Sequence, residues 1–146
     1  MMEQLHLFAT VAGTRIAVCA EEVEAVVRLN ELSPVPGMPS HIAGLSALRS
    51  RVLTVIDMAA LVLGAPTPSD ARSLAVVADI AGHSYGMMVD TVSDICEAAG
   101  GRLPLRGQLD PAWSRFAEGV IENEGEPHLL VSLSRFVELP TVALAA

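Results

Sequence analysis

Residues 82–86 read Gly-His-Ser-Tyr-Gly, the G-x-S-x-G spacing with which a nucleophile elbow exposes a catalytic serine. Asp90, Asp94 and Asp110 follow Ser84, and His128 follows them, so the order Ser, Asp, His of a hydrolase triad can be assembled. The chemistry would be acyl transfer: the serine attacks a carbonyl, the histidine takes its proton, and the aspartate orients the imidazole. An elbow, however, turns from a strand into a helix that supplies part of the oxyanion hole. The segment after Ser84 contains "YGMMVDTV", which alternates as a strand does, with β-favouring Val89 and Val92. Residues 81–84, "AGHS", therefore read as a hairpin turn, with Ser84 on an exposed loop and no preorganised donor pair. A chain of 146 residues also lacks the long run of strand–helix units of an α/β-hydrolase. No catalytic residue is expected.

Other reactive types are scattered. His6, His41, His83 and His128 show no H-x-x-x-H or H-E-x-x-H spacing, and none lies near a cysteine in sequence, so no metal is expected. Asp90 and Asp94 lie on one face if their segment is a strand, rather than around an ion. Cys19 and Cys96 form no C-x-x-C and read as buried structural thiols. The chain has nine arginines and no lysine, so a G-x-x-x-x-G-K phosphate loop is absent and no nucleotide cofactor is expected. A net charge of -8 and 3% aromatic residues argue against nucleic acid, which demands clustered positive charge and stacking platforms.

The elements that must position these residues are short. Strand-like runs recur between turn residues: "LHLFATV", "RIAVCA", "VEAVVRL", "RVLTVID", "LAVVADI", "YGMMVDTV", "GVIENE" and "HLLVSL". Leu5, Leu7, Ala9 and Val11 alternate as on a half-buried strand, whereas "LAVVADI" is apolar enough for cover on both faces. Helical signals are brief: Asp57 as N-cap and Gly64 as stop around "MAALVL", Asp110 before Pro111, and "SRFVEL" from Ser134. Proline-rich connections at Pro34, Pro36, Pro39, Pro66 and Pro68 read as surface crossings between sheets. The fold class is all-β with short helices. Hydrophobic residues make up 51%, yet no apolar run reaches the ~18 residues of a membrane helix, so no membrane insertion is expected. Glu3 and Arg15 do not suit a signal peptide, and a cytoplasmic location is the expectation.

The run "PGMPSHIAGLSALRSRVLTVIDMAALVLG", residues 36–64, resembles the CheW family of bacterial chemotaxis adaptors through Gly44, Leu48, Arg49, Val52, Val55, Ile56 and Asp57. Upstream, "LFATVAGTRIAVCAEEVEAVVRL" is similar to that family's opening hairpin and Val-x-x-Val segment. "YGMMVDTVSDI" and "FAEGVIENEGEPHLLVSLSRFV" resemble its Gly-x-x-Val-Asp-x-Val strand and its closing hairpin with terminal helix. The resemblance spans residues 5–139 as a single domain and leaves 140–146 as a short C-terminal tail.

The resemblance implies two intertwined five-stranded β-barrels around a shared core. It also implies a non-catalytic role: binding the cytoplasmic tips of methyl-accepting chemoreceptors and a CheA-type histidine kinase, at receptor arrays near the membrane. By position, Val23, Gly44, Leu48, Arg49 and Val89 are the expected partner contacts. For Arg49 two readings stay open, a guanidinium fork at an interface or an internal pair with an acid such as Asp57. Ser50 stands where the family's motif has glycine, Thr54 where proline is frequent, and Ala25 where an acid is common. Two alternatives follow. One is a module regulating a non-chemotaxis kinase pathway; the other, of a different class, is a small serine hydrolase using Ser84.

Overall fold

A computed structural model describes residues 5–29, 32–38, 41–48, 51–64, 67, 74–97, 102–103, 111–114 and 116–138. The chain opens with β1 (Leu5–Val11), β2 (Thr14–Cys19), a single 3-10 turn (Ala20–Glu22) and β3 (Ala25–Arg28). It continues through β4 (Ile42–Leu48), β5 (Arg51–Asp57), α1 (Met58–Leu63), β6 (Leu74–Ile80) and β7 (His83–Val89). The last elements are β8 (Thr91–Glu97), β9 (Arg102–Leu103), α2 (Pro111–Ser114), β10 (Ala117–Asn123), β11 (Glu126–Val131) and α3 (Leu133–Glu138).

These strands form two sheets. The first runs β8-β1-β2-β11-β10-β9 and the second β3-β6-β7-β5-β4. With β9 only two residues long, each sheet has five full strands, as expected. Neither closes into a complete barrel of hydrogen-bonded strands, although Ser33 bridges to Leu45 on β4 and so brings the segment after β3 toward the sheet's far edge. The chain leaves the first sheet after β2, builds the whole second sheet, and returns at β8. That interleaving makes two pairs parallel, β2 with β11 and β5 with β7.

Alternation assigns the core. Leu7, Ala9, Val11, Ile16 and Val18 of the first sheet meet Ile56, Val76, Ala78, Met87 and Val89 of the second in one large cluster. Phe116 and Phe136 stack beside them with ring centroids 4.1 Å apart. Residues of opposite parity fill a smaller cluster on the other face of each sheet. Phe8, Ala17, Ile121 and Leu130 do so in the first, and Leu53, Val55, Ala75, Val77 and Met88 in the second. Strand β1 is therefore covered on both faces over Leu7–Ala9, not half-buried as its alternation suggests. Strand β6 has the two-faced cover its composition predicts.

Three hairpins share one turn chemistry. Ala12–Gly13, Ala81–Gly82 and Glu124–Gly125 all have positive φ at both residues, the mark of a type I′ turn, which matches the twist of the flanking strands. Asp57 caps α1 through Ala60 N–H, and Gly64 ends it in the left-handed region at φ 77°, as expected. Helix α3 starts at Leu133, one residue before the expected start, because Glu22 reaches across from the 3-10 turn to accept from Leu133 N–H and Ser132 Oγ. The run "YGMMVDTV" is not one strand. It bends at Asp90, whose N–H donates to Thr10 O and whose carboxylate accepts from Gly13 N–H, so β7 and β8 belong to different sheets.

Candidate docking end of the second sheet

Strand directions bring three chain segments to one end of the second sheet. The end of β4 and the start of β5 lie there, with Leu48 paired to Arg51. The β6–β7 turn lies there because β7 runs parallel to β5. The start of β3 joins them because Ala25 pairs with Val77 and Arg28 with Leu74. Val23 and Leu48 are both half-buried at this end, Val23 against the large core and Leu48 against the second sheet's own cluster. Arg49 and Ser50 follow Leu48 in the chain and lie outside the described residues.

The other two expected contacts have structural duties. Val89 is 5% exposed and sits in the large core at the opposite end of β7, so its side chain offers no surface to a partner. Gly44 is buried in β4 at φ 148°, and a Cβ there would stand 2.5 Å from Ser33 O. The neighbouring Leu45 exchanges two 2.8 Å hydrogen bonds with Ser33, so glycine is needed for two backbones to approach. The Val89 side chain and the Gly44 backbone therefore both serve packing within the fold.

Charges that the sequence reading missed converge at the same end. The Arg51 guanidinium engages both carboxylate oxygens of Glu24 and also donates to Ser84 Oγ at 3.2 Å. Its Nη1 lies 3.9 Å from the Asp79 carboxylate. Ser84 Oγ in turn donates to Asp79 Oδ1 at 2.9 Å. The network links β5, β7, β6 and the residue before β3. Its only signal in the sequence is an arginine, two acids and a serine at strand ends.

This network answers the question raised by the G-x-S-x-G spacing. Ser84 is the second residue of β7 rather than a loop residue, and no helix follows it. Its hydroxyl is tied to Asp79 and Arg51, with no imidazole among those bonds. His128 lies in the first sheet, its Nδ1 3.1 Å from Glu126 O and its ring against Phe8 with centroids 4.7 Å apart. Asp90 holds the β1–β2 turn, and Asp110 lies outside the described residues. Among the described residues the candidate triad is not assembled: Ser84 is in the second sheet and His128 in the first.

Asp57 has partners of its own. It is fully buried, and its carboxylate accepts from Ala60 N–H at 3.2 Å and from Thr67 N–H and Oγ1 at 2.7 and 2.8 Å. Across β5, Arg51 and Asp57 are separated by about 20 Å at ~3.3 Å rise per residue. Of the remaining departures, Thr54 is half-buried in mid-strand opposite Leu45. Ala25 packs against the second sheet's cluster, and the adjacent Glu24 carries the local negative charge.

Among the described residues, two groups depart from ordinary protonation behaviour. Burial pushes Glu22 up, opposed by its bonds from Leu133 and Ser132 and reinforced by nearby Glu118. Burial holds His41 below the usual imidazole range. Cys19 is half-buried, and no group of three or more His, Cys, Asp or Glu side chains able to hold a metal occurs among the described residues. Among those residues, no helix is long and apolar enough to cross a membrane.

The family model for the CheW-like domain matches residues 6–141. A chemotaxis protein CheW of Rhizobium meliloti is 32% identical over 69% of this chain and 66% of its own length, so the match spans just under two thirds of that relative. A chemotaxis protein CheW of Thermotoga maritima is 22% identical over 87% of this chain and 83% of its own. The fold matches the crystal structure of the scaffolding protein TtCheW from Thermoanaerobacter tengcongensis with a TM-score of 0.76, covering 94% of each chain at 20% identity.

Proposed function

The chain belongs to the CheW-like domain family, a family of non-catalytic chemotaxis scaffolds, and from that premise we propose that it couples methyl-accepting chemoreceptors to a CheA-type histidine kinase. The domain, residues 5–139, works in the cytoplasm, gathered to receptor arrays at the membrane by its partners. Its docking surface is the end of the second sheet that carries Val23 and Leu48, and Arg49, next in the chain after Leu48, is its charged contact. The observation that carries this reading is the family match over residues 6–141. Ser84 has no part in a reaction, since its hydroxyl is engaged in a structural network.

The test is titration of the purified chain with a CheA-type regulatory domain and, separately, with a receptor-tip fragment. Arg49→Glu is expected to weaken binding by ~30-fold or more, because losing a desolvated charged contact costs about 2 to 5 kcal/mol. Its thermal midpoint should stay at the wild-type value. Unchanged binding to both partners would sink the docking assignment. The Ser50 and Thr54 departures favour a second reading, service to a non-chemotaxis kinase, and binding to a kinase but to no chemoreceptor tip would support it.

A further inference from the structure

We propose that Arg51 and Glu24 form a positioning clamp that holds Val23 in its docking pose, an inference that rests on the assignment of Val23 to the partner surface. Val23 belongs to no strand. It lies on the crossing from the first sheet to the second, between the 3-10 turn and β3. Val23 itself is in no ladder, its N–H donating to Ala20 O at 3.0 Å within the 3-10 turn, so its pose depends also on what anchors its neighbours.

Both neighbours are acids, and each is tied to a different sheet. Glu22 accepts from Ser132 Oγ at 3.2 Å and from Leu133 N–H at 3.3 Å, where β11 runs into α3. Glu24 is held by the Arg51 fork at both carboxylate oxygens, while its own N–H donates to Val77 O at 2.8 Å. Arg51 is braced by Ser84 at 3.2 Å, and Ser84 by Asp79 at 2.9 Å. The guanidinium is therefore framed by three strands of the second sheet before it meets Glu24.

Magnitude decides what such a network is for. Side chains of Arg51 and Glu24 are 39% and 35% exposed, and ion pairs that open to solvent add little to global stability. A bidentate fork, by contrast, fixes direction as well as distance. What the network supplies is geometry at Val23, and Arg51 acts through Glu24 without touching the partner.

The experiment joins amide hydrogen exchange to a titration with the purified regulatory domain of a CheA-type kinase from the same organism. In Arg51→Gln, and independently in Glu24→Gln, the Val23 and Glu24 amides are expected to exchange about tenfold faster. Amides of Val76 and Met87 in the core should keep their protection. Kinase binding should weaken about tenfold, and the swap Glu24→Arg with Arg51→Glu should restore both. Unchanged exchange at Val23 and Glu24 in both single variants would overturn the clamp. So would a folded swap that rescues neither property. Faster exchange with unchanged binding would instead overturn the docking role of Val23, leaving the clamp itself standing.

Discussion

Gly44 shows how much a motif glycine can owe to the backbone that approaches it. As a motif residue it reads as a contact; in the fold its φ of 148° and the 2.5 Å approach of a Cβ to Ser33 O make it a backbone requirement. Gly44→Ala is expected to lose about 1–3 kcal/mol through strain and displacement of the Ser33 bridge. Gly86→Ala is the control, because its Cβ would meet neighbours no closer than 3.5 Å, ordinary packing distance. Its loss should stay within about 0.5 kcal/mol. Urea melts of the two variants decide the matter, and equal losses would refute the distinction. The sequence could mark Gly44 as special but could not say which backbone it lets in, since Ser33 approaches from outside the β4–β5 hairpin. Val89 was illegible for a related reason: a valine on an alternating strand says only that one face is buried, not which. The Arg51 network was invisible because its members lie on separate strands whose register only the fold supplies.

Helix α1 was the most legible element, because its signals are local. Asp57 precedes it, Gly64 follows it, and both act as the sequence predicts. The tie from Asp57 to Thr67 was not legible, since it spans the connection beyond the helix. It also raises the stakes at Asp57 above an ordinary cap. Asp57→Ala removes the acceptor for Ala60 N–H and leaves the Thr67 N–H without its carboxylate, an expected loss of about 2–4 kcal/mol. Asp57→Asn should fall between wild type and alanine, because one amide oxygen can serve only part of that donor set. Chemical denaturation measures both. An alanine variant within about 0.5 kcal/mol of wild type would mean that the cap and the tie contribute nothing. Strand β4 went unread for the opposite reason: "IAGLSAL" carries glycine, serine and alanine, and its strand character comes from pairing with β5.

At the scale of the whole molecule, stability has two opposed pH dependences. His41 is 7% exposed and its Nε2 has no hydrogen-bond partner among the described residues, so burial favours its neutral form. Its contribution is fully present above the ordinary value of 6.5 and is lost as the pH falls below it, where the unfolded chain takes up the proton more readily. Glu22, raised from 4.5, works the other way: its contribution is present below that value and lost as the pH rises through its elevated range. His41→Leu should therefore flatten the fall in thermal midpoint between about pH 7 and pH 5.5. A wild-type-minus-variant gap that stays constant with pH would refute the assignment. The all-β class was legible because alternation is local, whereas the interleaving of the two sheets was carried only by family resemblance. No periodicity announces that β2 will pair with β11. That pairing has a consequence for the protein's birth. On a ribosome, the β1–β2 hairpin emerges long before β11, its parallel partner. The second sheet can assemble meanwhile from contiguous chain, so the nascent protein holds one finished module beside an orphaned hairpin with apolar Ile16 and Ala17 waiting for Leu129 and Leu130. Folding ends with a closure of high contact order, and a stalled or prematurely released chain leaves that edge open to strands from other molecules.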